Sequence, residues 1–139
     1  MRAVEIPFVS HVGIEERTAE ALQLSLTKET SNHVGTMHAA ALFALAETQS
    51  GVYLQSLFPE YGVDEVLPLL RGSSLKYRAP ATSTVYAVAT TSIKEQERFL
   101  SQFERKGRAG ITVVVTLKDS TETVVMTGEF SWFVQRRGI

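Results

Sequence analysis

The 139-residue sequence contains no cysteine, which excludes disulfides, thiolate zinc sites and cysteine nucleophiles together. Nor is there an excess of charge of either sign. Fourteen Lys and Arg stand against fifteen Asp and Glu, a formal net charge of -1, without the basic surplus that a nucleic-acid surface carries. No uninterrupted apolar run reaches the roughly 18 residues of a membrane span. The longest candidate, residues 32–57, is broken by Thr36, Thr48, Gln49, Ser50, Gly51 and Gln55. The opening "MRAVEIPFVSHVG" lacks a signal-peptide core, being cut by Glu5, Pro7, Ser10 and His11, so the expected compartment is the cytoplasm. Three histidines without a His-x-x-x-His pair give no expected metal site. Gly-x-Ser-x-Gly, Gly-x-Gly-x-x-Gly and a phosphate-loop lysine are all missing.

What is present is a globular composition, 44% hydrophobic and 21% charged. It is expected to fold as one domain over 1–139, which suffices to bury about two thirds of the unfolded surface. Leu22, Leu24 and Leu26 alternate with polar residues, so residues 20–27 read as a first strand. The Ala-rich segment 38–57 reads as a helix, apolar on nearly every side and so enclosed by protein, ended by Pro59 and Gly62. "VLPLLRGSSLKYRAPA" and "TSTVYAVATT" read as strands and as antiparallel neighbours. In "SIKEQERFLSQFERKG", Ser92 and Glu95 form a capping-box pattern and Gly107 a stop, favouring a helix over a strand continued to about residue 97. The two β-rich runs 109–119 and 122–135, joined by a tight Asp119-Ser120-Thr121 turn, read as a hairpin. The expected class is α+β, an antiparallel sheet wrapped around one long central helix.

One residue conflicts with this plan. Glu47 lies inside the buried-helix segment as the only formally charged group between Ser31 and Pro59. Burying an unpaired carboxylate costs several kcal/mol, which leaves three readings: a solvent-facing corner, an ion pair with Arg71 or Arg78, or a catalytic carboxylate. The helix start adds a second element. Gly35 and Thr36 read as loop and cap, so the first-turn N–H groups near His38 to Ala40 carry the positive end of the dipole and can polarise a carbonyl oxygen. His38 and Glu47 are nine residues apart, about 13 Å along a helix. Two antiparallel helices from paired subunits can bring such groups together where one cannot.

Asn32-x-x-Gly35-Thr36-Met37-His38, then Ala39-Ala40 and Glu47, resembles the active-site segment of the hotdog-fold acyl-CoA thioesterases in their phenylacetate-type branch. "KYRAPA" at 76–81 is similar to a Pro-terminated strand end of that family. "RKGRAGITVVVTLKDSTETVVMTGEFSWFV" resembles the tail of an uncharacterised thioesterase-like group, so the likeness spans roughly residues 18–134. The resemblance implies that Asn32 holds the attacking water or the loop, Gly35 lets the backbone turn, and His38 lies by the thioester oxygen. It further implies that the Ala39 N–H is an oxyanion donor and that Glu47 of a partner chain is general base or nucleophile. The protein would then be a homodimer or dimer of dimers acting on an acyl-CoA or acyl-carrier thioester, with no cofactor beyond the CoA of the substrate.

Two departures stand out. The family commonly has Gly-Gly where this chain has Ala39-Ala40, and Asp where it has Glu47, whose extra methylene moves the carboxylate by about 1.5 Å. The Ala pair favours an alternative function, a non-catalytic acyl or acyl-CoA binding domain; a hydratase of the same fold is a third. For substrate binding, Thr48 and the arginines Arg98, Arg105 and Arg108 are candidates, the arginines for the phosphates of CoA. Phe43, Tyr53, Phe58, Trp132 and Phe133 are either core or the wall of an acyl tunnel.

Overall fold

The structure is a computed structural model describing residues 2–138. Its elements are α1 (Pro7–Val12), β1 (Glu15–Glu16), β2 (Leu22–Leu24), α2 (Ala39–Ser56), β3 (Val66–Tyr77), β4 (Val85–Thr90), α3 (Ile93–Lys106), β5 (Arg108–Lys118) and β6 (Val124–Arg136). The six strands form one antiparallel sheet in the order β1-β2-β4-β5-β6-β3. Alternation along β5 sends Ala109, Ile111, Val113, Val115 and Leu117 into the core. The central helix α2 lies across β4 and β5, with β2 and β6 to either side. Its buried Leu42, Leu45, Ala46 and Leu54 meet the sheet and α1.

The hairpin forms as the sequence predicts, but its loop runs on to Thr123. The Asp119 carboxylate organises it, accepting from the Thr121 hydroxyl at 2.8 Å and the Thr121 and Thr123 N–H groups at 2.9 and 3.0 Å. The hydrogen bond from Thr121 is the leading reason its pKa is lowered. Segment 92–107 is a helix. The Ser92 hydroxyl caps the Glu95 N–H at 3.1 Å and Gly107 ends the helix at φ 73, while Phe99 and Phe103 join Phe58 and Tyr61 in one aromatic cluster.

Two expectations are corrected. The first strand is only three residues long, because side chains take its flanking backbone groups. Gln49 Oε1 accepts from the Leu22 N–H at 2.8 Å and Gln49 Nε2 donates to the Glu20 carbonyl at 2.8 Å. At the other end the Thr30 hydroxyl accepts from the Thr27 N–H and donates to the Ser25 carbonyl. Secondly, β3 and β4 are not neighbours: β3 pairs with β6, and β4 with β2 and β5. The link between them passes the tip of α2, where the Met37 N–H bonds the Ala81 carbonyl at 2.9 Å, and so crosses from one side of the sheet to the other. The N-terminal segment folds around α1, with Pro7 in its first turn and Val9 buried.

β3 stands apart. Of its twelve residues only Val66 is buried. It forms the outer edge of the sheet, and among the described residues no helix packs along its length.

Candidate active site

Asn32 builds the loop before α2. Its Oδ1 accepts from the Val34 and Thr36 N–H groups, both at 3.0 Å, and its Nδ2 donates to the Thr36 hydroxyl at 2.8 Å. The Asn32 N–H reaches the Thr36 carbonyl at 2.8 Å, and Gly35 takes φ +83, a conformation that side chains resist. Through these bonds Asn32 fixes the loop that leads into α2. Thr36, read from sequence as the cap, is engaged here instead.

The cap of α2 is His38, in extended conformation, with its Nδ1 accepting the Ala40 N–H at 2.9 Å. A neutral imidazole that accepts at Nδ1 carries its proton on Nε2, a donor pointing away from the helix. The next N–H groups, of Ala41 and Leu42, bond the His38 carbonyl at 2.9 and 3.1 Å. Among the described residues the Ala39 N–H has neither a cap nor a helical acceptor, as expected of the first residue of a helix. His38, Ala39 and Ala40 are exposed, so this donor opens to the surface.

Glu47 lies on the less buried line of α2 that runs through Ala40, Phe43, Glu47 and Gly51. Its carboxylate has no hydrogen bond or ion pair among the described residues. The sequence-predicted partners are occupied: the Arg71 guanidinium lies 4.0 Å over the Phe133 ring, and Arg78 Nε donates to the Thr127 hydroxyl. Nor is Glu47 a fully solvated corner. It is half-buried, and loss of hydration pushes its pKa above the ordinary 4.5.

The surroundings of this line are set by packing. Phe43 tilts against Phe130 with ring centroids 5.8 Å apart, and Trp132 Nε1 donates to the Ser50 hydroxyl at 2.9 Å, seating β6 beside Gly51. Beyond β6 comes the inner face of β3, with Leu70 and Leu75 half-buried. Gly128 lets Leu75 lie over β6, since a Cβ there would be 2.6 Å from Leu75 Cδ2. Glu47 therefore lies between Phe43 and Gly51 on the side of α2 that packs against β6.

The remaining candidates are dispersed. Thr48 is buried, its hydroxyl donating to the Ala44 carbonyl at 2.7 Å. Arg98 bonds the Glu95 carboxylate, Gln102 and the Gly110 carbonyl, which commits its guanidinium to the sheet. Arg105 and Arg108 are exposed and lie in no ion pair among the described residues. Phe43 and Trp132 pack on the Glu47 side of α2, whereas Tyr53 is tied to Thr91 at 2.8 Å and Phe58 belongs to the aromatic cluster. Two residues that the sequence did not single out matter locally: Gln49, and Tyr77, whose hydroxyl reaches the Ala39 carbonyl at 3.3 Å. Among the described residues no group of His, Cys, Asp and Glu could hold a metal, and no helix is long and apolar enough to cross a membrane.

The model of a domain family of unknown function, DUF4442, matches residues 5–134. The chain belongs to the DUF4442 family. A search of curated protein sequences returns no match. Among solved structures this DUF4442 chain is similar to a Pseudomonas aeruginosa protein of unknown function, named a probable thioesterase, at 23% identity and TM-score 0.80, covering 97% of this chain and 91% of that one. It is similar to a Haemophilus influenzae thioesterase at 12% identity and TM-score 0.69, covering 98% and 87%. A Bacillus halodurans protein solved with CoA aligns at 19% identity and TM-score 0.68, covering 91% and 74%. At these identities the likeness establishes the fold, and this DUF4442 member has the α+β hotdog architecture.

Proposed function

We propose that the protein hydrolyses acyl-CoA thioesters in a cleft completed by a second copy of itself. The observation that carries this reading is Glu47, a half-buried carboxylate with no partner among the described residues, on the side of α2 that packs against β6. An unpaired acid held there is a stability cost that a structural role does not repay, and its raised pKa makes it a stronger base. The CoA bound by the Bacillus halodurans neighbour supports the choice of thioester.

Glu47 takes a proton from water, whose oxygen attacks the thioester carbon. The negative charge that develops on the carbonyl oxygen is met by the Ala39 N–H and the His38 Nε2–H. The C–S bond then breaks, and the CoA thiolate recovers the proton from Glu47. Direct attack by the carboxylate, giving an anhydride that water opens, uses the same groups. No cofactor enters, since CoA arrives with the substrate.

Ala39 and Glu47 are eight residues apart on one helix, about 12 Å, so a single chain does not present both to one atom. Pairing of two β3 edges antiparallel about a two-fold axis would lay two α2 helices in opposite directions, tip facing acid. The unpaired edge of β3 supports this assembly, a homodimer that can pair again as a dimer of dimers. Arg108 stands near the Val66 end of β3 and Tyr77 at the tip of α2. The same two-fold would therefore bring the partner's Arg105 and Arg108 toward the site, where they would receive the phosphates of CoA.

Thiol release from a panel of acyl-CoAs tests the reading. Glu47→Gln is expected to slow hydrolysis at least about a hundredfold, and equal rates would remove Glu47 from the reaction. The exposed methyls of Ala39 and Ala40 favour a second reading, an acyl-CoA binder without turnover. Calorimetric binding with no thiol released over hours would select it.

A further inference from the structure

We infer that Tyr77 is a positioning residue which, with His38, locks the first peptide of α2 and so aims the free Ala39 N–H. The inference rests on the hydrolytic reading above and adds to it a residue from the open edge strand.

Two bonds meet on one peptide group. The carbonyl of Ala39 and the N–H of Ala40 belong to the same planar unit. Tyr77 Oη donates to that carbonyl at 3.3 Å, and His38 Nδ1 accepts that N–H at 2.9 Å. The plane is thus held at both poles, from β3 on one side and from the cap on the other. The preceding peptide, His38 to Ala39, is fixed through its carbonyl, which accepts from the Ala41 and Leu42 N–H groups.

With both flanking planes held, Ala39 retains little freedom in φ or ψ. Its own N–H, the donor left without an acceptor, has a set direction. Aim is what such a donor needs, because a displacement near 1 Å from the reacting geometry can cost about a hundredfold in rate. The first turn of a helix otherwise frays readily, and the two exposed alanines at 39 and 40 offer no side-chain packing to steady it. Tyr77 adds to the helical bond of the Ala39 carbonyl an anchor from outside the helix. Because Tyr77 ends β3, pairing of that edge with a second chain would stiffen the helix tip as well.

Tyr77→Phe removes the hydroxyl alone, from a side chain 49% exposed, so the fold and melting temperature are expected to stay. In acyl-CoA hydrolysis kcat should fall about tenfold with KM changed less than about twofold. In parallel, amide hydrogen exchange at Ala40, read by NMR, should speed up about tenfold. Both changes together uphold the clamp. Unchanged kcat, or a lower kcat with unchanged exchange at Ala40, overturns it. If the wild type releases no thiol, the hydrolytic reading falls, and the clamp is judged by exchange alone: faster in Tyr77→Phe upholds it, equal rates overturn it.

Discussion

The two flanks of the sheet treat their unpaired backbone in opposite ways. On the β2–β4 flank, where strands are short, side chains close the edge. Gln49 acts as a substitute strand for Leu22 and Glu20. Where β4 stops at Thr90, α3 covers the stretch of β5 it leaves, with Arg98 on the Gly110 carbonyl at 2.7 Å and Glu95 on the Thr112 N–H at 3.3 Å. On the β3 flank a twelve-residue strand is left open at its edge and exposed over most of its length. An edge of that length is an invitation to pairing. The sole acid of α2 looks toward this open flank, as does the tip of the same helix through Tyr77. The contrast separates what holds the fold from what is free to do chemistry.

If the closed flank is structural, damage there should register as lost stability. Gln49→Ala should show the largest effect, about 3 kcal/mol in denaturant unfolding, because the Leu22 N–H is left buried without an acceptor. Arg98→Ala should cost about 1 kcal/mol, since the Gly110 carbonyl can turn to water. Its KM for acyl-CoA should not move, as the guanidinium is bound to the sheet. A several-fold rise in KM would instead return Arg98 to the phosphate-binding set and blur the distinction between the flanks.

The elements that sequence made legible are those in which one periodicity governs many residues. The β5–β6 hairpin, α2 and α3 all lie within a few residues of their predicted bounds, because alternation or a cap fixes them locally. The partner of β3 was not legible. Adjacent strands pair by default, and nothing in "YRAPATST" says that the chain crosses beneath the α2 tip before β4. Shortening of β2 was hidden for a similar reason at one end, where Gln49 reaches its backbone from 27 residues away, and at the other by a local turn in which the Thr30 hydroxyl takes the backbone groups of Thr27 and Ser25. At the candidate site, Asn32, Gly35, His38 and Glu47 are proposed from their spacing. Tyr77 was missed because its role is a single contact across 38 residues, which no local pattern records.

On the open flank substitutions should cost rate and leave the fold nearly untouched. His38 tests this most directly, being both cap and proposed donor. His38→Ala loses the cap and should cost about 1 kcal/mol, whereas His38→Asn keeps a capping oxygen and should melt close to wild type. Both lack the Nε2–H, so both should hydrolyse acyl-CoA more slowly. Wild-type rates in His38→Asn would reduce the histidine to its capping duty.

The smallest effect should carry the opposite sign. Burial raises the Glu47 pKa above 4.5 in the folded protein, so the native state binds this proton more tightly than the unfolded chain does. Its stability contribution is then greatest at acid pH, declines as pH rises from the unfolded value through the folded one, and stays constant above it. Glu47→Gln has no such decline. Near neutral pH the variant should melt slightly higher than wild type, by the equivalent of about 1 kcal/mol or less for a half-exposed group. The gap should close as pH falls toward 4.5 and below. A variant less stable than wild type at pH 7 would mean that the carboxylate is held by a favourable partner, and that Glu47 belongs with the closed flank.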